Sequence, residues 1–140
     1  MAEAVQAKSE QKTSRPAMVA PIHDAYPISD LDRSLRFYTE VMGLKVLPRP
    51  EMAFAGAWLA DDTGHVEIHL FVSDALKPGP GTAPSNLARH AAYAVDDLEA
   101  WRQFLKGQGL PILERSISGR TPQVFVTDPD GHTIELQQAP

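Results

Sequence analysis

The sequence predicts an α+β fold built from two copies of one βαβββ module. Three observations carry that prediction. The second half of the chain matches the first in order. Both halves switch between strand and helix periodicity in the same sequence. A segment rich in proline and glycine separates them.

The internal match begins with His23 laid on His90. His-Asp-Ala-Tyr-Pro-Ile-Ser-Asp-Leu-Asp from His23 lies over His-Ala-Ala-Tyr-Ala-Val-Asp-Asp-Leu-Glu from His90. Phe37 falls on Phe104. After one gap, Gly43-Leu44-Lys45-Val46-Leu47 falls on Gly109-Leu110-Pro111-Ile112-Leu113. The stretch 64–70 resembles 131–136 with one residue of slippage. The expected organisation is a single domain over 21–140, with modules at 21–74 and 87–140 and a linker at 75–86. Pro78, Gly79, Pro80, Gly81 and Pro84 suit that linker. Residues 1–20 are polar up to Pro16 and bury too little apolar surface to offset their ordering entropy, so a disordered tail is expected.

Each element has a local reason. A short strand opens each module, over 22–28 and 90–95. A helix follows, capped by Ser29 or Asp30 in the first copy and by Asp96 or Asp97 in the second. Leu31, Leu35, Tyr38 and Met42 recur at helical spacing, as do Leu98, Trp101 and Leu105. Gly43 and Gly109 stand where a left-handed residue closes a helix. Strands are expected over 46–47, 54–60 and 66–72, then over 112–113, 124–127 and 133–137. The turns Asp61-Asp62-Thr63-Gly64 and Asp128-Pro129-Asp130-Gly131 separate the last two strands of each copy.

Composition narrows the function. With 140 residues, 43% apolar and 22% charged, the chain is one ordinary globular domain. A net charge of −5 argues against nucleic-acid binding through a basic face. No cysteine is present, so thiol catalysis, disulfides and iron–sulfur clusters are excluded, and any metal site must use His, Asp and Glu. No apolar run approaches the roughly 20 residues that span a bilayer. The first residues lack the apolar core of a secretory signal, so a cytoplasmic location is expected.

The repeat itself singles out four residues. His23 and His90 are equivalent first-strand positions, and His69 and Glu135 are equivalent last-strand positions. All four are metal-ligand types, and a two-fold relation between modules would gather equivalent positions around its axis. Strand alternation puts Val66, Ile68, Leu70 and Val72 on one face and His69 on the other, with Glu67 and Phe71. Ile134 and Leu136 likewise lie opposite Glu135. This suits a sheet with a helix-packed back and a concave functional front. Glu67 is a candidate to orient His69. Phe54, Trp58, Phe71 and Phe125 are candidates to line an apolar cup or simply to fill the core.

The segments 29–44 (Ser-Asp-Leu-Asp-Arg-Ser-Leu-Arg-Phe-Tyr-Thr-Glu-Val-Met-Gly-Leu), 68–70 (Ile-His-Leu), 90–98 (His-Ala-Ala-Tyr-Ala-Val-Asp-Asp-Leu) and 128–136 (Asp-Pro-Asp-Gly-His-Thr-Ile-Glu-Leu) resemble the vicinal oxygen chelate superfamily. That group contains glyoxalase I, bleomycin and fosfomycin resistance proteins and extradiol dioxygenases. The resemblance covers about residues 21–138. It implies paired βαβββ modules forming a cupped mixed sheet around one divalent metal ion, Zn, Ni, Fe, Mn or Co. It implies a homodimer whose active sites take ligands from both chains. His23, His90 and Glu135 match the most widely used metal positions, and His69 matches the fourth, which is typically Glu in glyoxalase I. The glutathione-binding arginine of that enzyme, four residues after the first ligand, is replaced by Pro27. Arg49, Arg89 and Arg120 are candidates to compensate. The segment 49–59 resembles one common in glyoxalase-like members of unassigned activity.

The expected function is that of a metal-dependent glyoxalase-like lyase or isomerase. Its small carbonyl substrate would chelate the metal through oxygen, and Glu135 or His69 would move the proton. Three alternatives stay open: an Fe(II) extradiol-type dioxygenase using His23, His90 and Glu135, a fosfomycin-resistance-type transferase, and a bleomycin-type drug-binding protein without catalysis.

Overall fold

A computed structural model of the chain describes residues 15–76, 83–116, 119 and 122–140. Most of the tail expected at 1–20 and half of the linker expected at 75–86 therefore lie outside the described residues. The stretch 16–23 carries no helix or strand.

Both modules fold as strand, helix and three strands. The first has β1 (Asp24–Ile28), α1 (Leu31–Arg36), β2 (Lys45–Leu47), β3 (Gly56–Ala60) and β4 (Glu67–Val72). The second has β5 (His90–Val95), α2 (Leu98–Gly107), β6 (Ile112–Arg115), β7 (Gln123–Thr127) and β8 (Thr133–Gln138). Each module makes its own four-stranded mixed sheet, in the orders β1-β4-β3-β2 and β5-β8-β7-β6. The first strand runs parallel to the last, and the other neighbours are antiparallel. The register repeats as well. His69 is flanked by Ala25 and Trp58, and Glu135 by Ala92 and Phe125. Because side chains alternate along a strand, equal register puts equivalent residues on equivalent faces.

The caps are the second of each candidate pair. Asp30 accepts from the Arg33 amide at 2.8 Å, and Asp97 from the Ala100 amide at 3.0 Å. Gly43 and Gly109 close the helical segments at φ 78° and 73°. One element departs from expectation. After Arg36 the first helix widens into a π-helical turn, Phe37–Val41, with the Met42 amide donating to the Phe37 carbonyl at 3.0 Å. Phe37 and Tyr38, which open that turn, are both buried.

The two sheets share one core. Ile28, Leu59, Ile68 and Leu70 of the first module cluster with Leu105, Val126, Ile134 and Leu136 of the second. Polar contacts then latch the modules on one side. Tyr38 donates its hydroxyl to Asp128 at 2.8 Å, and the Ser29 hydroxyl donates to Asp130 at 2.5 Å. Arg33 donates to the Pro129 carbonyl at 3.1 Å. Burial, and then the Asp128 carboxylate, hold the Tyr38 phenol well above its ordinary range. Among the described residues no helix is long and apolar enough to cross a membrane.

Candidate metal centre

His90 and Glu135 meet across the β5–β8 ladder. His90 Nε2 lies 2.9 Å from Glu135 Oε2, and His90 Nδ1 lies 2.7 Å from the Ala88 carbonyl oxygen. A carbonyl oxygen only accepts, so the ring proton sits on Nδ1. Nε2 then faces a carboxylate oxygen, and either a second ring proton or a divalent cation can join the two. The donor chemistry of this pair therefore fits a metal ion, with Nδ1–H fixing the ring as an outer-shell hydrogen bond does in metal sites. Glu135 is only 4% exposed. Its other oxygen, Oε1, accepts from Gln123 at 2.7 Å and from Gln137 at 2.6 Å. A carboxylate so deep in the sheet needs partners, and these two amides supply them without charge.

His23 and His69 meet in the first module. Their rings stack with centroids 3.8 Å apart. Trp58, opposite His69 on β3, covers the other side of the His69 ring at 4.5 Å and 9° between planes. His69 Nε2 lies 2.7 Å from Glu67 Oε1 on the same strand face. His23 is exposed and stands one residue ahead of β1 rather than inside it as expected.

The four candidates thus form two half-sites, one per module. Among the described residues of a single chain, no three His, Asp or Glu side chains converge closely enough to hold a metal ion. His23 and His90 do border one cleft of about 410 Å³, with Asp24, Tyr26, Arg89 and His132. Tyr93 donates to Asp24 at 2.8 Å and its hydroxyl lies 3.2 Å from that of Tyr26, so the repeated tyrosines meet where the modules abut. Burial, hydrogen bonding to Tyr26 and the Asp24 charge raise the Tyr93 phenol far above its ordinary range.

Sequence reasoning missed some of these groups. The amides at Gln123 and Gln137 carry no spacing signal. They pair with each other across β7 and β8, beside Glu135, which only the register reveals. Trp58 and Phe125 appeared as cup or core candidates. Trp58 is the platform under His69, and Phe125 is buried with its ring edge-on to His90 at 5.3 Å.

The chain is similar in sequence and fold to known proteins. The lactoylglutathione lyase of Haemophilus influenzae is 32% identical over 124 residues, covering 82% of this chain and 89% of its own. That of Schizosaccharomyces pombe is 28% identical over 137 residues, covering 81% of this chain. The chain spans 45% of the length of that relative and 34% of a chloroplastic one from Arabidopsis thaliana. The solved glyoxalase family protein from Enterococcus faecalis superposes with a TM-score of 0.67 at 26% identity, covering 85% of this chain and 97% of its own. The family model that matches, over residues 20–136, takes in both modules, and the chain belongs to the Glyoxalase/Bleomycin resistance protein/Dioxygenase superfamily.

Proposed function

We propose that this chain is a metal-dependent glyoxalase-type lyase or isomerase acting on a small carbonyl substrate. In this reading His23 and His69 of one protomer, with His90 and Glu135 of a second copy, hold one divalent ion. The single observation that carries it is the pair of half-sites in identical register, each built on a module that leaves its first strand, β1 or β5, at a sheet edge. A site split this way is completed by a second copy of the chain. The relatives named lactoylglutathione lyase support the reaction class.

The metal would act as a Lewis acid on the substrate's oxygen, making the neighbouring C–H more acidic. The chain's own residues do the rest. Glu135 is the base that takes the proton and returns it one carbon away. The Gln123 and Gln137 amides hold its Oε1, which leaves Oε2 to face His90. Trp58 covers one face of the His69 ring and His23 the other. His69 is the second candidate for proton transfer, with Glu67 at its Nε2.

The test is elemental analysis by mass spectrometry on untagged protein purified without chelator. Bound zinc, nickel or cobalt is expected. His90→Ala or Glu135→Ala is expected to remove the metal while the circular dichroism spectrum stays native. Unchanged metal content in both variants would refute the assignment. Iron as the bound metal would favour the dioxygenase reading instead.

A further inference from the structure

The segment 49–59 is distinctive in the sequence, yet the metal centre uses only Trp58 from it. Arg49 lies half-buried in the loop between β2 and β3. Its Nη2 donates to the Phe54 carbonyl at 2.9 Å, and the guanidinium carbon lies 5.2 Å from the Phe54 ring centroid. Nε is buried and has no hydrogen-bond partner among the described residues. The guanidinium rests directly on β3. A Cβ added at Gly56 would sit 2.2 Å from the Leu70 carbonyl oxygen, so the close approach of β4 requires glycine, and the same bare backbone lies 3.2 Å from Arg49 Nη2.

Register places this cation relative to the half-site. Gly56 pairs with Phe71 on β4, and Phe71 pairs with Pro27 on β1. Two residues further along β3, Trp58 pairs with His69. The guanidinium is therefore one side-chain repeat, about 7 Å, along the strand from the Trp58–His69 stack. It occupies the same row across the sheet as Pro27. Around it stand aromatic rings, Phe54 meeting Phe71 edge to face at 6.5 Å, with Trp58 beyond.

We infer that Arg49 is the specificity residue of the site and takes the carboxylate of a monoanionic substrate with an aromatic body. A guanidinium fork matches a planar carboxylate and has donors to spare beyond the one spent on Phe54. One fork serves one carboxylate, whereas the tripeptide glutathione carries two. The rings of Phe54, Phe71 and Trp58 would bracket the apolar part. The substrate's chelating oxygens would then reach His69 a strand repeat away. This last step rests on the metal centre proposed above; the carboxylate recognition at Arg49 does not.

The experiment is calorimetric titration of the full chain with 3-phenylpropanoate and with its neutral isostere 3-phenylpropanamide, on metal-free and metal-loaded protein. The acid is expected to bind at least about tenfold more tightly than the amide, and in both forms of the protein. Arg49→Gln is expected to erase the preference, with acid and amide binding alike. Arg49→Lys, which keeps the charge but loses the fork, is expected to retain only part of it. Equal binding of acid and amide by the unmodified protein, a result that needs no variant to fold, would overturn the inference. So would a preference that survives in Arg49→Gln. Absence of metal uptake alongside an intact, Arg49-dependent preference would refute the metal centre and leave this inference standing.

Discussion

Asp128 shows how much one buried group contributes. It is 1% exposed, and its carboxylate accepts from the Tyr38 hydroxyl and from the amides of Asp130 and His132. Burial raises its pKa above the ordinary carboxylate value, and the nearby His132 and these hydrogen bonds offset only part of that. A raised native pKa means the native state holds the proton more tightly than the unfolded chain. Asp128 therefore favours folding most at low pH, and that contribution fades as pH rises from about 4 through the raised value. Asp128→Asn keeps the acceptor for the two backbone amides and removes the titration. Urea unfolding at a series of pH values is expected to show a flatter stability profile in this window for the variant, and an unchanged slope would refute the attribution. Glu135 is equally deep but is held by uncharged amides, an arrangement that suits a carboxylate kept for chemistry.

At the scale of elements, the helix starts are set locally and can be tested locally. Asp97 caps α2, whereas the Asp96 side chain accepts only from the Asp97 amide. Asp97→Ala is expected to cost about 1 kcal/mol in chemical denaturation, with Asp96→Ala costing clearly less. Equal losses would show that the cap does not set the start of α2. The π-helical turn after α1 has no counterpart among the ten residues of α2. Tyr38, in that turn, reaches Asp128 of the other module with its hydroxyl, so the residue forms part of the latch between modules. Alternating periodicity revealed which strand residues share a face. It did not reveal that His23 would fall ahead of β1 or that β3 would begin at Gly56, because strand ends depend on the ladder partners.

At the scale of the whole molecule, the division of the candidate ligands between modules makes a sharp prediction. Combine His23→Ala with His69→Ala in one chain, and His90→Ala with Glu135→Ala in another. Neither homodimer is expected to bind metal. After the two are mixed and exchanged, each mixed dimer is expected to regain one complete site, because under the proposed shared site one protomer would supply the histidine pair and the other His90 and Glu135. Metal analysis of the isolated mixed dimer reads this directly. No recovery, or a monomer by sedimentation, would exclude a site shared between copies.

The amino-acid sequence by itself determined the repeat, the element order, the pair of candidate caps at each helix start and the strand face on which His69 and Glu135 lie. These are local matters of period, turn chemistry and capping, settled within a few residues of each position. Tertiary structure decided what those faces meet. Ladder register put Trp58 under His69 and the Gln123–Gln137 pair beside Glu135. Loop packing laid Arg49 on Gly56. The shared core held the two half-sites apart within one chain. Such contacts join residues far apart in the chain, and their distances follow from how sheets pack, which no local pattern encodes.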